Sequence, residues 1–187
     1  MKRLTDVPVR SPGDIKYISL FTGSRYLEMP HQPQLPAVRE TYDVVKRELL
    51  EQYQWLKDND FRVLPWPREG QPYAGSPDLF ADALLLGKVY VYRGGELPAD
   101  HPLSEFGPDG LTYNEVFRGV HDYLGHAAKK LPLETLAGEL AAYREHSRVF
   151  SRPAWPALFT ETVGQTAAFY HGGGKFPEQK AGIVEVR

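Results

Sequence analysis

Two histidines lie five residues apart in the segment NEVFRGVHDYLGHA, residues 114–127. They are His121 and His126, with Asp122 beside the first and Gly125 before the second. Neutral imidazole is the commonest side-chain ligand for a metal ion. The chain has no cysteine. Disulfides, thiolate metal sites and cysteine nucleophiles are therefore excluded, and a metal must be held by His, Asp or Glu, which suits iron, zinc or manganese. Further polar candidates follow downstream. Glu139 and His146 are seven residues apart, and Glu161 and Gln165 are four apart, so each pair shares a helix face. Three neighbouring helices that each aim a carboxylate or imidazole at one seam would build a metal site, as helix-bundle cores do.

The His121–His126 spacing poses an angular problem. In an unbroken α-helix, five residues turn the chain by about 500°, which leaves the two side chains roughly 140° apart. Gly125 offers a solution, because a helix that loosens or ends at glycine lets His126 swing back toward His121. Asp122 then points away from the metal and orients a histidine or pairs with Arg118. Glu161, Glu139 and His146 all compete to complete the site. If Glu139, His146 and Glu161 all face the seam, the site holds two metals. If they do not, Glu139 and His146 belong to a solvated face, since YREHSR is polar throughout, and Gln165 hydrogen-bonds within the core.

The segment HDYLGH resembles the H-[DE]-x-x-G-H motif of the aromatic amino acid hydroxylases, which are pterin-dependent non-heme iron enzymes. In that family both histidines bind Fe(II) and a glutamate further along, just after a Phe-Thr pair, completes the set. Glu161 follows Phe159-Thr160 in this chain. The resemblance therefore implies His121, His126 and Glu161 as a 2-His-1-carboxylate triad with open positions for oxygen and substrate. By their helical spacing, Glu139, His146 and Gln165 are the candidate catalytic residues beside the metal. The proline that usually follows the second histidine is replaced by Ala127 and Ala128. No pterin site is recognisable, so pterin lies outside what the resemblance supports. The order HD–GH, then GE with a histidine seven residues on, then TETVGQ and KFPEQKAG, is also similar to uncharacterised proteins common in phage and bacterial genomes.

Helices must carry these residues. The spacing predicts three, at about 112–125, 134–149 and 154–169, with Thr112 and Glu115 forming a capping box at the first. Pro132 separates the first two, and Ser151 to Pro153 the last two. Upstream, Val38, Tyr42, Val45, Leu49, Tyr53 and Leu56 form one apolar stripe of a helix over 36–57, with Pro36 in its first turn. A short helix near 78–86 starts at Asp78. KYISLF (16–21), FRVLP (61–65) and KVYVYRG (88–94) read as strands, with Tyr90 and Tyr92 on one face. His31, His101 and His171 lie beside Pro or Gly in loops and read as surface residues. The tail HGGGKFPEQKAGIVEVR lacks the spacing of a phosphate-binding loop.

The expected fold is α+β. A small strand region over 1–110 packs with a mainly helical half, 111–187, that carries the metal site, all in a single domain. The 187 residues suit one core, and the formal net charge of −2 argues against a nucleic-acid partner. The N-terminal MKRLTDVPVRSPGD has no apolar core, and no apolar run reaches the length of a membrane span, so a cytoplasmic protein with no membrane partner is expected. The leading expectation is a mononuclear Fe(II) oxygenase or hydroxylase of a small organic substrate. Tyr113, Phe117, Tyr143, Trp155 and Phe159 are candidates to line its pocket. A zinc hydrolase on the same ligands, with Glu139 as general base, is the second reading. A non-enzymatic, phage-associated protein stabilised by its metal is the third.

Overall fold

The computed structural model of the chain describes residues 12–94 and 97–184. Most of the N-terminal stretch read above, up to residue 11, and the end of the tail lie outside the described residues. The architecture is α+β and mainly helical. Helices α1 (Pro12–Glu28) and α2 (Pro36–Asp58) precede a βαβ unit of β1 (Arg62–Pro65), α3 (Ser76–Leu85) and β2 (Lys88–Val91). The two strands pair in parallel, Arg62 opposite Lys88 through Pro65 opposite Val91, with α3 as the crossover that parallel pairing requires. Then come α4 (Tyr113–His121), α5 (Leu136–His146), α6 (Trp155–Phe159) and α7 (Gln165–His171).

Helix α2 buries Val38, Tyr42, Val45, Leu49, Tyr53 and Leu56, the stripe its periodicity requires, and adds Gln52 to the same face. Pro36 opens it, as a residue without an N–H to lose does best at the first turn. At α4 the Thr112 hydroxyl accepts from the Glu115 N–H, while the Glu115 carboxylate accepts from the Thr112 N–H, so two orphan donors are satisfied at once. Gly119 brings α4 against the strands, since a Cβ there would overlap the Val63 side chain.

Two expectations fail upstream of the site. KYISLF is helical, part of α1, because Ile18, Thr22 and Tyr26 are buried at four-residue spacing and α1 packs along α7. Its β-branched and aromatic content weighs less than that longer periodicity. His101 is not a surface residue. It is 1% exposed, its Nδ1 accepts from the Leu103 N–H at 3.1 Å, and its ring meets the Tyr42 ring edge-on. Among the described residues no helix is long and apolar enough to cross a membrane.

Candidate metal centre

The angular problem of the two histidines is solved by a change of helix type. After α4 the chain continues as a π turn over Asp122–His126, in which the Ala127 N–H reaches the Asp122 carbonyl. An i→i+5 turn brings residues five apart nearly into line, which an α turn cannot do. Gly125 does not break the helix. It makes room: a Cβ at Gly125 would stand 3.0 Å from both Cε1 and Nδ1 of His121 and 3.3 Å from the Ala142 Cβ. The ring planes of His121 and His126 are perpendicular, with centroids 5.1 Å apart.

The third partner comes from α5, which Thr135 caps through the Gly138 N–H. Glu139 sits in its first turn. Its Oε1 is 3.0 Å from His121 Nε2 and its Oε2 is 3.4 Å from His126 Nε2. One ligand atom from each of His121, His126 and Glu139 falls within 4.8 Å of the others, and all three residues are buried. The solvated reading of Glu139 and His146 therefore fails. Seven residues along α5 put both inside, and the rest of YREHSR faces outward in part.

The donor set suits a cation. The His126 Nδ1 must carry a proton, because it bonds the Leu131 carbonyl at 3.3 Å and a carbonyl can only accept. In the neutral ring Nε2 then presents a lone pair. That atom is buried, faces the Glu139 carboxylate and has no hydrogen-bond partner. A lone pair aimed at an anion in a buried site is satisfied by a proton or a metal ion between them. A metal-bound histidine ordinarily donates its other N–H to a carbonyl, as His126 does.

The charges respond to one another. Burial works to raise the Glu139 carboxyl, but the facing His121 and His126 rings outweigh it and hold the group well below the usual carboxylate range. Burial works to lower His126, and the Glu139 carboxylate reverses this, leaving the imidazole above its ordinary value. Burial and the neighbouring His121 and His126 keep His146 neutral, far below its ordinary value. Burial raises Asp122 against the pull of His126 and His121.

Glu161 stands elsewhere. It lies in a second π turn, Thr160–Gly164, between α6 and α7. Its Oε1 accepts from the Tyr42 hydroxyl and lies 3.3 Å from His101 Nε2, while its Oε2 accepts from Gln165 Nε2 at 2.7 Å. The position expected of Glu161 is thus filled by Glu139, because α5 packs against the π turn of the histidines and projects its first-turn carboxylate there. Glu161 and the His121–His126–Glu139 cluster still meet at one pocket, whose lining includes Arg118, His121, Asp122, Glu139, Glu161 and Gln165. Of the aromatic candidates, only Phe117 lines it, together with Phe176. Tyr143 packs against Phe159 in the core, and the Trp155 indole donates to the Ser147 carbonyl at 3.0 Å.

His146 completes the arrangement. Its Nδ1 is 2.9 Å from His121 Nδ1, and its Nε2 is 2.8 Å from Gln52 Oε1. Sequence reading missed Gln52. The available signal was a lone amide on the apolar stripe of α2, between Leu49 and Tyr53. In comparisons with known proteins, no family model, curated protein or solved structure matches the chain.

Proposed function

We propose that the chain is a metal-dependent enzyme that binds one divalent ion, Fe(II), through His121, His126 and Glu139 and oxidises a small organic molecule in the adjoining pocket. The observation that carries this reading is the convergence of two imidazole Nε2 atoms and one carboxylate on one buried point at a pocket wall. A 2-His-1-carboxylate set leaves coordination positions open, and iron held that way supplies oxygen chemistry. The pocket's charge supports a cation: its lining carries three carboxylates, Asp122, Glu139 and Glu161, against the single guanidinium of Arg118. A dication offsets that excess.

The residues of the chain hold and shape the site. Glu139 ties the two histidines together across α4 and α5. Glu161 is immobilised by Tyr42 and Gln165, so it presents a fixed negative group to whatever the pocket admits. Burial and the Glu161 charge hold the Tyr42 phenol well above its ordinary value, so Tyr42 remains a donor. Phe117 and Phe176 give the pocket apolar surface for the body of a substrate.

Zinc hydrolysis is the second reading, favoured by one observation: Glu161 is a carboxylate on the same pocket outside the ligand set, available as a general base for a zinc-bound water. The test is anaerobic loading with Fe(II) or Zn(II), followed by metal analysis and exposure of the Fe(II) form to nitric oxide. A high-spin nitrosyl EPR signal at one iron per chain is the expected result. Stoichiometric zinc with no iron uptake favours hydrolysis, and no uptake of either metal overturns the proposal.

A further inference from the structure

The wall of the site behind His121 contains a chain of polar atoms whose directions can be read without any hydrogen being seen. It starts at the Val149 carbonyl, which accepts from Gln52 Nε2 at 3.4 Å. A carbonyl has no proton to give, so the amide nitrogen of Gln52 must face it and the amide oxygen must face the other way. That oxygen, Oε1, is 2.8 Å from His146 Nε2, which must therefore be the donor. A neutral imidazole carries one proton, so His146 Nδ1 is left bare. His121 Nδ1 lies 2.9 Å from it and must donate in turn. In the neutral ring, His121 Nε2 is then the bare nitrogen, 3.0 Å from the acceptor-only carboxylate of Glu139, a contact that needs a cation between the two atoms or, without metal, a second proton on the ring.

From this chain we infer that Gln52 is a positioning residue: acting through His146, it fixes the tautomer of His121 so that Nε2 is presented to the metal. The consequence for metal affinity rests on the metal reading above; the direction of the hydrogen bonds does not. The side chains concerned are enclosed. His146 is 0% exposed and Gln52 is 9% exposed, so neither relay atom has a competing supply of water. The surroundings leave little freedom of orientation. The His146 ring is edge-on to Phe150 at 5.0 Å, and the His121 ring is stacked parallel to Phe117 at 6.0 Å. The arm through His126 has the same design, since it is anchored by the Leu131 carbonyl. Two backbone carbonyls, one on each side, thus dictate which nitrogen of each ligand is free. A reversed relay would turn the Gln52 oxygen toward the Val149 oxygen and leave two acceptors in contact with nothing to separate them, whereas the acceptor contact of His121 Nε2 with Glu139 is the one a cation or a second ring proton fills.

Two measurements test this. Long-range 1H–15N correlation NMR on the unaltered, metal-free protein reads directly which ring nitrogens carry protons. His146 should carry its proton on Nε2, and His121 should be protonated at Nδ1, whether or not Nε2 also carries a proton toward Glu139. A His146 protonated at Nδ1 overturns the inference whatever the metal does. The second measurement is Zn(II) affinity by competition titration for the parent, Gln52→Met and Gln52→Glu. Met matches the length of the side chain but offers only the weak acceptor of its thioether and no donor, and should weaken binding by about 10–100-fold. Glu, protonated at the oxygen that faces the Val149 carbonyl, retains both a donor for that carbonyl and an acceptor for His146, and should restore affinity to within about threefold of the parent. Parent-like affinity in Gln52→Met, or equal losses in both variants, overturns the inference. If the parent itself takes up no Zn(II), the metal reading falls, and the NMR result still decides the relay.

Discussion

The imidazole of His121 lies over Gly125, four residues ahead of it in the chain, so close that a methyl group at Gly125 would stand 3.0 Å from two of the ring atoms. The glycine is required by the ring and not by the backbone, whose π turn has ordinary helical angles on both flanks. Even Gly125→Ala should therefore disturb the site. Overpacking of this kind costs about 1–3 kcal/mol, measurable by urea denaturation. Zn(II) affinity should fall by at least about tenfold, as for other changes beside a ligand. A Gly125→Ala protein with parental affinity would show that the ring yields freely.

The two carboxylates should separate cleanly. Glu139→Ala removes a ligand, so metal binding should be lost in equilibrium dialysis with Zn(II). Glu161→Ala leaves the Tyr42 hydroxyl and the Gln165 amide without their shared acceptor, and should cost about 1–3 kcal/mol of stability. Its metal affinity should stay within about tenfold of the parent. The reverse order of effects would return the ligand role to Glu161.

Metal should stabilise the fold. An ion that binds only the native state adds RT ln(1 + [L]/Kd), about 2.7 kcal/mol at one hundred times Kd. For a chain of this length that raises Tm by roughly 5–10 °C. Calorimetry with and without Zn(II) reads the shift, chelator should reverse it, and His126→Ala should abolish it.

The link between α3 and the loop before α5 has a pH signature. Glu134 accepts from both the N–H and, at 2.6 Å, the hydroxyl of Ser76, at the start of α3. The Ser76 hydroxyl and N–H hold its carboxyl below the ordinary value. A carboxyl lowered in the folded state stabilises above its unfolded pKa, about 4.3, and loses that contribution as pH falls through the folded value. Parent and Glu134→Ala should therefore differ at neutral pH by about 0.5–1 kcal/mol, in the range of a helix cap. The difference should shrink as the pH drops below 4. A difference that persists unchanged at pH 2–3 would show that the carboxylate charge is not its source.

Much of the site was legible in the chain. His121 and His126 announced themselves, the Thr112–Glu115 box placed the start of α4, and the stripe from Val38 to Leu56 placed α2. The choice of Glu139 over Glu161 was not legible. Both stand at sound helical spacings, and only the packing of α5 against the histidine turn decides between them. The π turn has no residue signature, so periodicity alone gave the wrong angle. KYISLF misled because six residues of β-like composition conceal a helical period that needs Thr22 and Tyr26 to be seen. His101 looked like a loop residue and is one, but its loop closes over the Tyr42 ring, a tertiary contact that neighbouring prolines do not reveal.

The two π turns, Asp122–His126 and Thr160–Gly164, each hold one residue more than a regular helical ladder would need. The pocket is thus written into the chain as a matter of count as well as of chemistry. Removing a single residue between His121 and His126 would let the helix relax to its regular α form and leave the two imidazoles four apart, still on one face. A regular α-helix at the present length would instead keep both histidines and lose their meeting point, since five residues turn it by about 500°. An insertion that helices on a protein's exterior often absorb as a simple rotation is here absorbed by the helix type itself, so that the π turn keeps the register that a plain α-helix would have with one residue fewer.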